Sequence, residues 1–227
     1  MHLLLIGLLL LALVVGPGIW VGSVMRRYHF PRERYAQTGG QAARALLDAM
    51  SLSHVKTEIT ERGDHYDPLA KAVRLSRENF NGRSLTAVTV AAHEVGHAMQ
   101  DADGFRPLHL RTRLVRWLNP VEKLGAGLLF LAPFSTLLTR VPAIGYLTLL
   151  GGLLTLGTGV VVHALTLPTE FDASFRRALP LVRRRGVLKP EDMPRARKLL
   201  TAAALTYVSG ALQSLLNIAR WWAILRR

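Results

Sequence analysis

The apolar positions of this chain fall into four long blocks separated by two charged ones. Residues 3 to 24 carry no charge, and at about 1.5 Å per residue a helix of that length crosses a hydrocarbon core of about 30 Å. Pro17, between Gly16 and Gly18, is expected to kink it. A second stretch covers Leu124 to Thr139 and a third Ala143 to Leu167, parted only by Arg140, Val141 and Pro142, which predicts a helical hairpin. A fourth runs from Leu200 to Leu225, with Trp221 and Trp222 placed as interfacial aromatics near its end. The fold expected is mainly α: a four-helix transmembrane bundle formed by residues 1–25, the hairpin 124–167 and residues 200–227, with polar segments at 26–123 and 168–199. Only Met1 and His2 precede the first apolar run and Arg26-Arg27 follow it, so a retained anchor is expected in place of a cleaved signal peptide.

The first polar segment has its own periodicities. Ala42, Leu46, Leu47 and Met50 follow Thr38 at helical spacing, which predicts a short amphipathic helix over 38–51. Val55, Thr57 and Ile59 alternate with polar residues, as do Val73 and Leu75, and these two strands are expected to form a hairpin closed by residues 63–68. Asn81-Gly82 marks a turn, and Ser84 can cap a helix running to Asp101. That helix, 84–101, is apolar nearly all round and must be buried.

Charge orients the bundle. Of the 29 Lys and Arg, 16 lie in residues 26–123 and nine in 169–198, against one in the hairpin turn and three from Arg220 onward. By the positive-inside rule both polar segments face the cytoplasm, beside anionic lipid, and both termini lie outside. The net charge of +14 is thereby explained by the lipid bilayer, and no nucleic-acid partner is expected. The chain has no Cys, which excludes thiolate metal sites and cysteine nucleophiles; any metal is held by His and carboxylates.

Inside the buried helix stands His93-Glu94-Val95-Gly96-His97. Histidines four apart on a helix differ by about 40° in direction, so both imidazoles reach one Zn²⁺. Glu94 emerges beside them, where it can accept a proton from the attacking water. Two imidazoles and a carboxylate in an otherwise apolar helix are costly to bury without such a partner. A catalytic zinc needs a third protein ligand. Asp103 stands six residues after His97, but Gln100 replaces the turn-making Gly of that extended pattern and a continuing helix points Asp103 away. Glu170 is the better candidate, next to Pro168 where the third span ends, although it has the alternative of pairing with Arg176 or Arg177. His163, two turns earlier on the same face, either orients a ligand or bonds a neighbouring helix.

Taken together, residues 64–68, 73–76, 81–84, 91–98, Leu167-Pro168 with Glu170-Phe171, and 202–208 make the chain resemble the membrane-bound neutral zinc metallopeptidases of bacteria, the YugP-like proteins. The resemblance covers almost the whole chain. It implies a zinc-dependent, membrane-embedded peptidase of the inner membrane, with His93 and His97 as ligands and Glu94 as catalytic acid/base, in a zincin-like α+β segment. The chain is also similar to the larger gluzincin membrane proteases, whose Glu-x-x-x-Asp supplies the third ligand and a supporting Asp. Here Glu170 fits the ligand and Ser174 stands at the Asp position.

The leading expectation is a zinc metalloendopeptidase acting on a peptide or membrane-protein substrate. The strand at Val73–Ser76 is expected to pair with the substrate backbone, and His65 or Tyr66 to stabilise the oxyanion. The alternatives are a zinc-stabilised non-catalytic scaffold and a site-2-type intramembrane protease. The intact Glu94 argues against the first and the polar groups of 84–101 against the second. Gly151-Gly152 and Gly157-Thr158-Gly159 could pack helices within the chain, in a homo-oligomer, or against another membrane protein.

Overall fold

The computed structural model describes residues 2–225, with side chains set out for residues 15–118, 143–155 and 157–213 and at isolated positions elsewhere. The chain is mainly helical with one small sheet, and it divides into two compact units. One gathers the N-terminal part of α1 (His2–Tyr28), most of α5 (Arg106–Thr139) and α6 (Pro142–Phe171), and the C-terminal part of α8 (Met193–Leu225). The other holds residues 15–109 and 168–206.

Helix α1 runs through Pro17 without interruption, and α5 begins at Arg106, well before the apolar stretch at Leu124. Arg140, at φ 57°, and Val141 join α5 to α6, as the short polar break predicts. Among the described residues one stretch, beginning at Ala143, is long and apolar enough to cross a membrane. The other three apolar blocks run in part through residues whose side chains lie outside the description, Trp221 and Trp222 among them.

The second unit holds His93, His97 and Glu170, and its elements follow from local sequence. α2 (Gly39–Ala49) starts at a capping box in which the Thr38 side chain accepts from the Gln41 backbone and the Gln41 side chain accepts from the Thr38 backbone. Its Ala42, Ala43, Leu46 and Leu47 are buried. α3 (Arg77–Asn81) is a single short helix that ends at Gly82. α4 (Leu85–Ala102) is capped by Ser84, whose hydroxyl accepts from the Ala87 N–H, and fifteen of its 18 residues are buried. Val73, Leu75, Val88 and Val95 join the α2 residues in one core.

The sheet corrects an expectation. β1 (Lys56–Thr60) and β3 (Ala72–Ser76) do not form a hairpin: they run parallel, and β2 (His65–Asp67) pairs antiparallel with β3, in the order β1-β3-β2. The segment read as a closing turn therefore contains a strand. β3 takes the centre because Ala72 and Val73 are both fully buried, so both faces of the strand are covered. Arg74 secures the order, reaching Glu58 on β1 at 3.1 Å and Asp67 on β2 at 2.7 Å. Asp67 also accepts from the N–H groups of Leu69 and Ala70, turning β2 into β3. β1 pairs along all of β3 and β2 along Ala72–Arg74, while the Ser76 N–H donates to Asp64, so most of Val73–Ser76 is already engaged on both sides.

Pro168 brings a second correction. It does not end the helix: α6 continues to Phe171, passes into a π-helical segment, Asp172–Ala178, and then into α7 (Leu179–Arg184). The change of helical pitch, and not a break, re-aims the chain at this point.

Candidate metal centre

α4 projects His93 and His97 from one side, with ring centroids 4.7 Å apart. The last turn of α6 brings Glu170 against them, its Oε2 3.1 Å from His93 Nε2 and 3.6 Å from His97 Nε2. All three side chains are buried, as is Glu94 at 6% exposure beside His93. Among the described residues the ion pairs found for Glu170 are with His93 and His97. Arg177 instead bonds Asp172 at 2.7 Å and also holds Asp103.

What seats Glu170 is close packing on one glycine. A β-carbon at Gly96 would stand 2.6 Å from the Ala173 carbonyl oxygen, so only glycine lets the π-helical backbone lie this near α4. Gln100, fully buried one turn after His97, completes the seat. Its amide nitrogen donates to the Thr169 carbonyl at 2.8 Å and to Asp172 Oδ2 at 2.9 Å, where α-helical pairing gives way to π. The residues flanking Glu170 are thus tied to α4.

The same glutamine selects a histidine tautomer. With its nitrogen committed, Gln100 presents Oε1 to His97 Nδ1 at 2.9 Å, and an oxygen there can only accept. His97 therefore carries its proton on Nδ1 and turns the lone pair of Nε2 toward the Glu170 carboxylate. Two electron-rich atoms facing each other in a buried site call for a cation. Distances agree. Ligand atoms about 2.0–2.1 Å from one tetrahedral Zn²⁺ stand about 3.3 Å apart, between the 3.1 and 3.6 Å found here. His93 is supported likewise, with Nδ1 3.1 Å from the Ser174 hydroxyl. His93, His97 and Glu170 form a group able to hold zinc, with Gln100 and Ser174 orienting the two imidazoles.

Other candidate residues are placed elsewhere. Asp103 caps α4, is exposed, and faces Arg177. His65 is held by the Gly63 carbonyl at 2.8 Å. The Tyr66 hydroxyl donates to Asp101 Oδ2 at 2.6 Å, and burial together with that carboxylate pushes its ionisation far upward. His65 is not one of the three residues grouped as possible metal ligands. His163 packs its ring on Gly210 of α8 and beside Tyr207, which favours the helix-packing role over a ligand-orienting one. Sequence reasoning missed Gln100 and Asp172 as supports. The signal was present: a polar side chain at helical position i+3 from a ligand, within an otherwise buried helix.

Residues 2–226 match the family described as "Putative neutral zinc metallopeptidase". The chain is 36% identical over 205 residues to the "Putative membrane protease YugP" of Bacillus subtilis (strain 168), an alignment covering 88% of this chain and 86% of that protein. No solved structure matches. Zinc is the metal of that family, and the buried His93-His97-Glu170 group is where this chain can bind it. The chain belongs to the neutral zinc metallopeptidase family.

Proposed function

We propose that this protein is a zinc-dependent endopeptidase that cleaves peptide or membrane-protein substrates at the cytoplasmic surface of the bacterial inner membrane. The observation that carries the reading is the convergence of His93, His97 and Glu170 next to a buried Glu94. When bound, Zn²⁺ supplies Lewis acidity toward the scissile carbonyl and the attacking water. Glu94 takes the proton that the water loses as its oxygen adds to the carbonyl carbon. It then passes the proton to the amide nitrogen as the C–N bond breaks, leaving a carboxylic acid and an amine. Gln100 and Ser174 hold the imidazole planes throughout. An extended substrate would pair with the free edge of β1 or of β2, since β3 is internal.

The membrane part of the proposal rests on the four apolar blocks and the bias of 25 basic residues to 4. The span beginning at Ala143 leads along one continuous helix to Glu170.

The test is zinc content and cleavage of a quenched-fluorescent peptide library by purified protein. Glu94→Gln should retain zinc and lose at least about 100-fold in rate, whereas His93→Ala should lose both. Normal cleavage by Glu94→Gln would remove the general-base role, and a zinc-loaded wild type with no activity on any substrate would favour the scaffold.

A further inference from the structure

In the second unit, a cavity of about 1130 Å³ lies among α7, the loop after it and the first turns of α8. Its lining includes Arg183, Arg185, Lys189 and Arg197 but no carboxylate. Arg185 donates to the Ala49 carbonyl at 2.8 Å, and Arg197 lies over the Phe175 ring at 5.9 Å. Neither contact supplies a negative charge, and among the described residues none of the four cations forms an ion pair. Two acids stand in the α8 entry: Glu191 is exposed and does not line the cavity, and Asp192 is fully buried and already engaged. Its carboxylate accepts from Arg34 at 2.7 Å, from Arg195 at 2.8 Å and from the hydroxyl of Tyr35, another lining residue.

Four like charges around one cavity repel each other, and a bound anion relieves that repulsion. Besides Gln37 and Tyr35, the rest of the wall is mainly apolar, with Val88, Leu179, Val187, Leu188 and Met193. The volume is at or above the upper end of ordinary small-molecule sites, about 300–1000 Å³. A cationic rim over an apolar wall matches a ligand that is anionic at one end and hydrocarbon at the other.

We propose that this cavity binds an anionic phospholipid, with the headgroup phosphate between Arg183, Lys189 and Arg197 and the acyl portion along Val88, Leu179 and Val187. A free phosphate shares the headgroup chemistry but leaves the apolar wall unused. The choice of lipid rests on the membrane location proposed above. The metal centre is not involved: none of His93, Glu94, His97 or Glu170 lines the cavity.

The test is thermal unfolding of the full-length protein in neutral detergent, titrated with short-chain phosphatidylglycerol, short-chain phosphatidylcholine, inorganic phosphate or an acidic hexapeptide. Phosphatidylglycerol should raise the melting temperature saturably. The Arg183→Gln/Arg197→Gln double variant should weaken that apparent affinity at least about 10-fold while keeping wild-type zinc content and peptide cleavage. Because both side chains are exposed, the variant should fold. An equal shift with phosphatidylcholine, or an unchanged phosphatidylglycerol shift in the double variant, overturns the proposal. So does an equal shift from inorganic phosphate, which identifies a free-ion site, or a shift from the peptide with none from lipid. Zinc content in the same samples reports on the peptidase reading separately.

Discussion

Gly96 and Ala173 are in backbone contact: a β-carbon at position 96 would lie 2.6 Å from the Ala173 carbonyl oxygen. The glycine inside the His-Glu-x-x-His motif therefore does structural work for a residue 74 positions away, Glu170, which this contact helps to seat. Gly96→Ala should force α4 and the π-helical segment apart. Overpacking of this kind costs about 1–3 kcal/mol, a fall in melting temperature of several degrees for a chain this size. Zinc affinity should fall with it. Thermal unfolding with and without chelator measures both, and a Gly96→Ala protein that binds zinc like wild type would show that the packing is looser than argued.

Glu170→Ala should lower zinc affinity at least about 10-fold and reduce the melting temperature, because metal binding is coupled to folding. Asp103→Ala should leave zinc affinity unchanged, since its carboxylate faces Arg177 at the end of α4. Competitive zinc titration of the two variants decides the matter, and the opposite pattern would move the third ligand to Asp103.

Gln100→Leu keeps the volume of the side chain but cannot accept from His97 Nδ1, and it abandons the Thr169 carbonyl and Asp172. Loss of a group that orients a metal-bound imidazole costs about 10–100-fold in affinity or activity. We expect that loss in zinc titrations, with partial recovery in Gln100→Asn if its shorter amide still reaches His97. Wild-type affinity in Gln100→Leu would mean that the tautomer is set by the metal alone.

Asp192 links stability to pH. Burial alone would raise its pKa, but bonds from Arg34, Tyr35 and Arg195 outweigh burial and bring it from 3.8 down to about 2. A depressed carboxyl stabilises the folded state fully above its unfolded value, so this contribution is intact above pH 4 and is lost as pH falls toward 2. Acid unfolding should therefore steepen between pH 4 and pH 2 in the wild type and less so in Asp192→Asn, which should already be less stable at neutral pH. Parallel profiles for the two proteins would contradict the assignment.

The absence of Cys permits single-cysteine topology mapping without background. Glu61→Cys, in the exposed loop after β1, should be shielded from an impermeant thiol reagent in intact cells, and Val141→Cys, in the turn between α5 and α6, should react. Labelling at position 61 alone would invert the proposed orientation.

Much of the metal centre was determined by the sequence alone, because its signals are local. Histidines four apart on a helix share a face whatever surrounds them, and a Ser cap with a run of apolar residues fixes that helix as buried. The α2 and α4 starts were legible at Thr38 and Ser84 for the same reason: a cap is a contact between residues three apart. Tertiary structure decided what depends on distant partners. The strand order β1-β3-β2 rests on Arg74 meeting Glu58 and Asp67 together, and alternation of apolar residues cannot say which strand lies between two others. Pro168 read as a terminator because local propensity disfavours proline within a helix. Packing carried the helix through it, as Gln100 bonded the Thr169 carbonyl and Gly96 admitted the backbone at Ala173. Glu170 could be named as a ligand from its surroundings in sequence, but only the fold could bring it to His93 and His97. A π-helical segment, with its altered pitch, is set by what the neighbouring helix presents to it and not by the residues it contains.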